Sequence, residues 1–165
     1  MYPMGNNRVK NIMKRLILLS FIIIFLMSSC NKSDDWFMDN GWHEVTLSYG
    51  NTSGIDAGIG MEMDQDGNVV GYSISGGFYD YHYTNSWAFR LYSTFDKVDE
   101  LVTAPSDGYT TTIVCNKTRY GVIRYCNSWW TNSNVSGHSY EYFKFCIKKV
   151  NSWQVKVYYK EWSPE

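Results

Sequence analysis

The stretch Gly76-Gly77-Phe78-Tyr79-Asp80-Tyr81-His82-Tyr83-Thr84-Asn85-Ser86-Trp87 crowds aromatic rings beside groups that hydrogen-bond. Such rings stack on the C–H faces of sugars, and Asp80, His82 and Asn85 are the groups that would fix hydroxyls. If residues 78–83 are extended, Tyr79, Tyr81 and Tyr83 line one face and Phe78, Asp80 and His82 the other. Trp87, Trp129 and Trp130 extend the row, which makes these residues the candidate ligand contacts. The alternative is a sheet rim whose tyrosine hydroxyls stay wet. Aromatics make up 18% of the chain, more than a β core of this size needs, so some are expected to face solvent.

Other chemistry-bearing residues are less well arranged. Gly71-Tyr72-Ser73-Ile74-Ser75 lacks the second glycine of a nucleophile elbow and its strand-to-helix setting. Cys126 and His138 are a formal nucleophile and base, but nothing local marks that cysteine as activated. Glu62 and Asp64 fall on one face of a strand, as paired glycosidase carboxylates do, and equally as exposed acids before a turn do. Asp64, Asp66 and Asn68 match positions one, three and five of a calcium loop. Gly67 then falls at position four instead of six, and Ser75 stands where the closing glutamate belongs. A hairpin explains the same residues without a metal. His43, His82 and His138 have no ligand spacing within one element; haem would need one or two of them in an aromatic cleft. The expectation is no catalytic machinery, no metal and no cofactor.

The elements that position these residues read as strands. Trp153, Val155, Val157 and Tyr159 alternate with polar or tyrosine neighbours, a half-buried strand, and Phe143, Phe145 and Ile147 do the same. Residues 42–49, 55–63, 68–76, 86–93, 108–115 and 119–130 are further strands, with Asp66-Gly67-Asn68 as a hairpin turn. Only 95–102 has helical spacing, stopped before Pro105. The fold expected is all-β: a single-domain antiparallel sandwich or barrel of about 7–9 strands with one short helical turn. A loop centred near residue 136 would pair 119–130 with 140–149, setting Trp129 against Phe143, Tyr125 against Ile147 and Arg124 against Lys148. That register also places Cys126 opposite Cys146 as a candidate disulfide.

The N-terminus speaks to location. Lys14-Arg15, the apolar run from Leu16 to Met27 and Ser28-Ser29 form a secretory signal peptide. A run of twelve residues, eleven of them apolar, is too short to span a bilayer as a helix. Met13 is a second candidate start. The expected organisation is a signal peptide over 1–29, a lipidated cysteine and flexible tether over 30–40, and one β domain over 41–165. Losing residues 1–29 removes four of the 15 basic residues and none of the 16 acids, leaving a net charge of −5. A mildly acidic domain without a basic cluster is no nucleic-acid binder. Cys115, Cys126 and Cys146 remain, an odd number with no zinc spacing.

Met27-Ser28-Ser29-Cys30 resembles the lipobox of bacterial lipoproteins, which implies lipidation of Cys30. Lys32, Ser33, Asp34 and Asp35 resemble the acidic export tether of surface lipoproteins of the Bacteroidota, which implies an outer-membrane protein facing the cell exterior. The C-terminal stretch, with Pro105, Gly108, Tyr109, Tyr120, Lys156 and Tyr158, is similar to small Bacteroidota lipoproteins of uncharacterised function. That likeness is loose, covers roughly 60 residues and supplies no catalytic residue. The expected function is a non-catalytic, lipid-anchored surface module binding a glycan or an outer-membrane protein partner. Its alternatives are a structural accessory subunit of an uptake or adhesion complex, and a haem-binding lipoprotein.

Overall fold

Period-two alternation broken by glycine and asparagine turns folds into nine strands and two short helices among the described residues. Those residues are 32–51, 54, 58–133 and 135–165 of a computed structural model. In chain order the elements are α1 (Asp34–Asp39), β1 (His43–Ser48), β2 (Met61–Met63), β3 (Val69–Gly71), β4 (Ser73–Phe78) and β5 (Tyr81–Tyr92). Then come α2 (Phe95–Asp99), β6 (Thr112–Ile113), β7 (Arg119–Thr131), β8 (Ser136–Asn151) and β9 (Gln154–Trp162). The fold is all-β, as the alternation requires. The signal segment and Cys30 lie outside the described residues.

Six strands make an antiparallel sheet ordered β1-β9-β8-β7-β5-β4, and β2, β3 and β6 make a second, small one. The small sheet covers one face of the large one. Met61, Met63, Val69 and Ile113 pack there with Leu47, Phe89, Ile123, Phe145, Ile147, Val155 and Val157. Each such side chain contributes roughly 1.5–3 kcal/mol by leaving water. The other face is covered by the helices: Phe37 of α1 stacks on Tyr158 at 4.4 Å, and Phe95 of α2 meets Tyr120, Trp42 and Phe37 edge-on or tilted. Strand β9, expected to be half-buried, is therefore buried on both sides over Val155, Val157 and Tyr158.

Several expectations change. Within the segment expected as tether, Ser33 already belongs to the compact unit and Asp34–Asp39 are helical; the Ser33 hydroxyl caps α1 by accepting from Trp36 N at 3.2 Å. Phe37 is 1% exposed, and its burial is what holds the segment down. The strand expected over 108–115 forms regular pairing only at Thr112–Ile113. The strand expected over 55–63 forms only at Met61–Met63, and part of the remainder lies outside the described residues.

The β7–β8 register also differs. Strand β8 starts at Ser136, so Trp129 faces Gly137, Tyr125 faces Glu141 and Arg124 faces Tyr142. Cys126 faces Tyr140 and Cys146 faces Tyr120, and no disulfide joins Cys115, Cys126 and Cys146. Like-charged pairs do occur, but at Lys148–Lys156 and Lys144–Lys160.

Candidate functional site

Strands β5, β7 and β8 are longer than the core that covers them. Beyond Trp87 and Tyr125 they continue with β4 as a four-stranded blade, residues 73–78, 81–86, 126–131 and 136–141. No residue of those four segments is fully buried. Strand β9 reaches β8 only as far as Tyr142, so among the described residues the 136–141 edge has no strand paired on that side.

The blade begins at a two-residue turn. Tyr79 takes φ 56 there, in the left-handed region that tyrosine seldom adopts. The expected extended run over 78–83 is thus a reversal: Phe78 faces Tyr81, and Tyr79 projects from the tip, 85% exposed. A second hairpin tip lies alongside, where Asn132 N donates to Asp80 O at 3.1 Å.

Register then sorts the candidate contacts onto two faces. Tyr83 and Trp129 are directly opposite one another, with Tyr81 two residues along and Asn85 and Asn127 paired two residues inward. On the reverse face His82 lies opposite Trp130, their rings within 19° of parallel at 5.6 Å. Three rings are laid over glycines. A Cβ on Gly137 would stand 2.4 Å from Trp129 Cζ2, one on Gly76 2.7 Å from Tyr83 Cζ, and one on Gly77 2.6 Å from His82 Nδ1. Each ring lies across its neighbouring strand because the glycine leaves no side chain in the way. Beside the His82–Trp130 pair an open cleft of about 670 Å³ is lined by Ser128, Trp129, Trp130, Ser136, Gly137 and His138.

Trp87 does not belong to this site. It is 7% exposed, lies over Gly60 and tilts against Tyr125 at 4.8 Å, inside the core. Cys126 is half-buried on the His82 face, its Sγ 3.3 Å from Ser128 Oγ.

One group was not singled out in the sequence. His138, Tyr140 and Tyr142 follow one another at period two on β8, with ring centroids 5.1 and 6.3 Å apart, and Trp162 closes the row against Tyr142. The Arg124 guanidinium lies over Tyr109 at 3.9 Å and over Tyr140 at 5.4 Å. Burial pushes the Tyr109 hydroxyl up to about 12, and it donates to Pro105 O at 3.1 Å. The alternation His138-x-Tyr140-x-Tyr142 was the available signal, and it marks one face of a strand as clearly as 79–83 seemed to.

The remaining candidates serve the fold. Asp64 Oδ1 accepts from Asp66 N at 3.0 Å and Asn68 N at 2.8 Å, and Oδ2 accepts from Asn68 Nδ2 at 3.1 Å. Burial opposes the charge on Asp64, but these bonds outweigh it and lower its pKa. Glu62 faces Val70 across β2–β3. Asp34 accepts from Lys148 at 2.8 Å and from Lys156 at 3.4 Å, while Asp35 and Ser33 are exposed and Lys32 precedes the cap. His43 tilts against Tyr159 on β1. Among the described residues no cluster of three His, Cys, Asp or Glu forms a metal site, and no helix is long and apolar enough to cross a membrane.

No protein-family model, no curated protein and no solved structure matches this chain. The functional reading therefore rests on the residues themselves.

Proposed function

We propose that this chain is a non-catalytic, lipid-anchored surface module of the outer membrane that binds a polysaccharide through its β blade. One observation carries the reading: Tyr83, His82 and Trp129 reach across the sheet onto Gly76, Gly77 and Gly137, where no side chain stands between ring and neighbouring strand. Ring faces are what stack on sugar C–H surfaces, and hydroxyls and amides of Ser128, Ser136, Asn85 and Asn127 stand beside them. A blade that existed only for packing would have a layer over its aromatics, and among the described residues none is fully buried there. The anchor is supported by Lys14-Arg15, the apolar run and Cys30.

A second reading, an accessory subunit of an uptake or adhesion complex, is favoured by β4. It is an edge strand, and Ser73–Phe78 contains neither a charged residue nor proline to deter strand addition. Haem has less support, because His82 and His138 sit on different strands with β7 between them and His82 is stacked on Trp130.

The test is affinity electrophoresis of the full-length chain in detergent against a broad polysaccharide panel, with haemin assayed separately. A polysaccharide hit should weaken at least tenfold, about 1.4 kcal/mol, in either Tyr83→Ala/Trp129→Ala or His82→Ala/Trp130→Ala. A blank panel, or a hit indifferent to both double variants, overturns the proposal.

A further inference from the structure

Resting on the blade reading above, we infer that the polysaccharide is acidic and that a sugar carboxylate seats on Arg124. Arg124 lies on β7 between Tyr142 of β8 and Ala88 of β5, on the His82–Trp130 face. The guanidinium carbon lies over the rings of Tyr109 and Tyr140, at 3.9 and 5.4 Å, contacts that use none of its five N–H donors in a conventional hydrogen bond. Among the described residues those donors make no hydrogen bond and no ion pair.

The other cations of this face are engaged. Arg90 binds Asp107, Lys144 donates to Asp99 O and Leu101 O, Lys156 binds Asp34 and Glu44, and Lys160 donates to Asn40 O. Among these cations Arg124 is half-buried between two tyrosines with its fork unused. A guanidinium in that state is short of acceptors, and a planar carboxylate satisfies two donors at once. The carboxylates nearest in sequence and register, Glu141 and Glu161, face Tyr125 and Phe143 on the opposite side of the sheet.

The site is continuous with the blade. From the cleft at Ser128, Trp130 and Ser136 the surface runs through His138 to Tyr140 and Arg124. His138 to Tyr142 covers roughly 13 Å of strand, at 3.3 Å per residue. A chain lying there stacks its rings on His138 and Tyr140 while one acid group reaches Arg124. The net charge, −1 for the whole chain and −5 without residues 1–29, offers polyanions no long-range attraction, so capture depends on this local contact and not on a general basic field.

The experiment uses the full-length chain in detergent with four probes: polygalacturonate, the same polymer after carboxyl reduction, dextran sulfate and a neutral glucan. Polygalacturonate should bind, free galacturonate should compete while galactose does not, and Arg124→Gln should lose at least tenfold with Arg124→Lys between. Circular dichroism and Tm of both variants establish that they fold. Equal binding of native and carboxyl-reduced polymer, or competition by galactose as strong as by galacturonate, overturns the acidic ligand while leaving the blade reading intact. Binding of dextran sulfate alone overturns the carboxylate in favour of a sulfate. No binding of any probe overturns this inference, and the wider panel above then decides the blade reading separately.

Discussion

Gly137 shows how much of the blade depends on side chains that are absent. Its missing Cβ is the space in which the Trp129 indole lies, so Gly137→Ala forces the ring up from the sheet. Overpacking in a closed core costs about 1–3 kcal/mol; here the indole is only half-buried and can move, so about 1 kcal/mol and a Tm drop of about 2–4 °C are expected. Polysaccharide binding should fall at least tenfold, with a red shift in tryptophan emission. A variant with unchanged emission and affinity would mean the ring does not rest on the glycine. The same residue explains the register. Ser133 to Gly137 reads as one polar loop in the sequence, yet Gly137 belongs to β8 because Trp129 covers it. Shifting the strand start moves Cys126 away from Cys146. Native alkylation without reductant should therefore label only Cys126 of the three, since Cys115 and Cys146 are 3% and 0% exposed. Denaturation without reductant should then expose all three to the reagent, and a pair that resisted it would restore the disulfide.

Helix α1 is where the scale of elements decides the electrostatics. Lys148 and Lys156 face each other across β8–β9 and repel; Asp34 bonds both and offsets the repulsion. The Lys148 hydrogen bond, against opposing burial and with help from Tyr158 and Lys156, holds the Asp34 carboxyl at about 2, below its usual 3.8. A carboxylate depressed in the folded state stabilises above the unfolded pKa and loses that contribution as pH falls from about 4 through about 2. Asp34 stays about half exposed, 48%, so solvent screening limits the term to within about 1 kcal/mol. Asp34→Asn should flatten that part of an acid-unfolding curve by no more than this. Phe37→Ala should do far more: deleting a ring stacked on Tyr158 in a closed cluster costs about 3–5 kcal/mol in urea unfolding. A loss below about 1 kcal/mol would mean α1 is a loosely attached tether after all. The helix was hard to read because its six residues make fewer than two turns, too few for a repeating apolar pattern. Ser33 followed by Asp34 and Asp35 is a helix-start signal and an acidic tether at once. By contrast β1, β7 and β9 were legible, because alternation over six or more residues has one dominant solution.

Across the whole folded unit, residues 33–165, cover is uneven, and stability should follow it. The segments 87–91, 121–125, 143–147 and 155–158 lie under the small sheet, the helices or both. The blade continues the same hydrogen-bonded ladders with neither layer above it. Its inner strands β5 and β7 are paired on both sides as in the core, while 136–141 is paired on β7 only, and the blade lacks the buried apolar area that sets opening free energy. The sequence carries only a trace of this division: 81–86 (Tyr-His-Tyr-Thr-Asn-Ser) is more polar than 87–92 (Trp-Ala-Phe-Arg-Leu-Tyr), yet both read as one strand, and the lengths of β2, β3, β6 and β9 determine where cover stops. Hydrogen exchange of the full-length chain should therefore show three tiers. The covered segments should exchange at the global rate, 81–86, 126–131 and 136–141 faster, and the edge strand 73–78 with the tips 79–80 and 132–133 fastest. Adding a bound polysaccharide should slow the second tier selectively, because contact with the blade faces replaces the cover that the fold omits. Uniform protection across core and blade in the free protein would mean that the blade is stabilised as a cooperative part of the core. Slowing confined to 73–78 on adding a partner protein would instead assign the blade's role to its β4 edge.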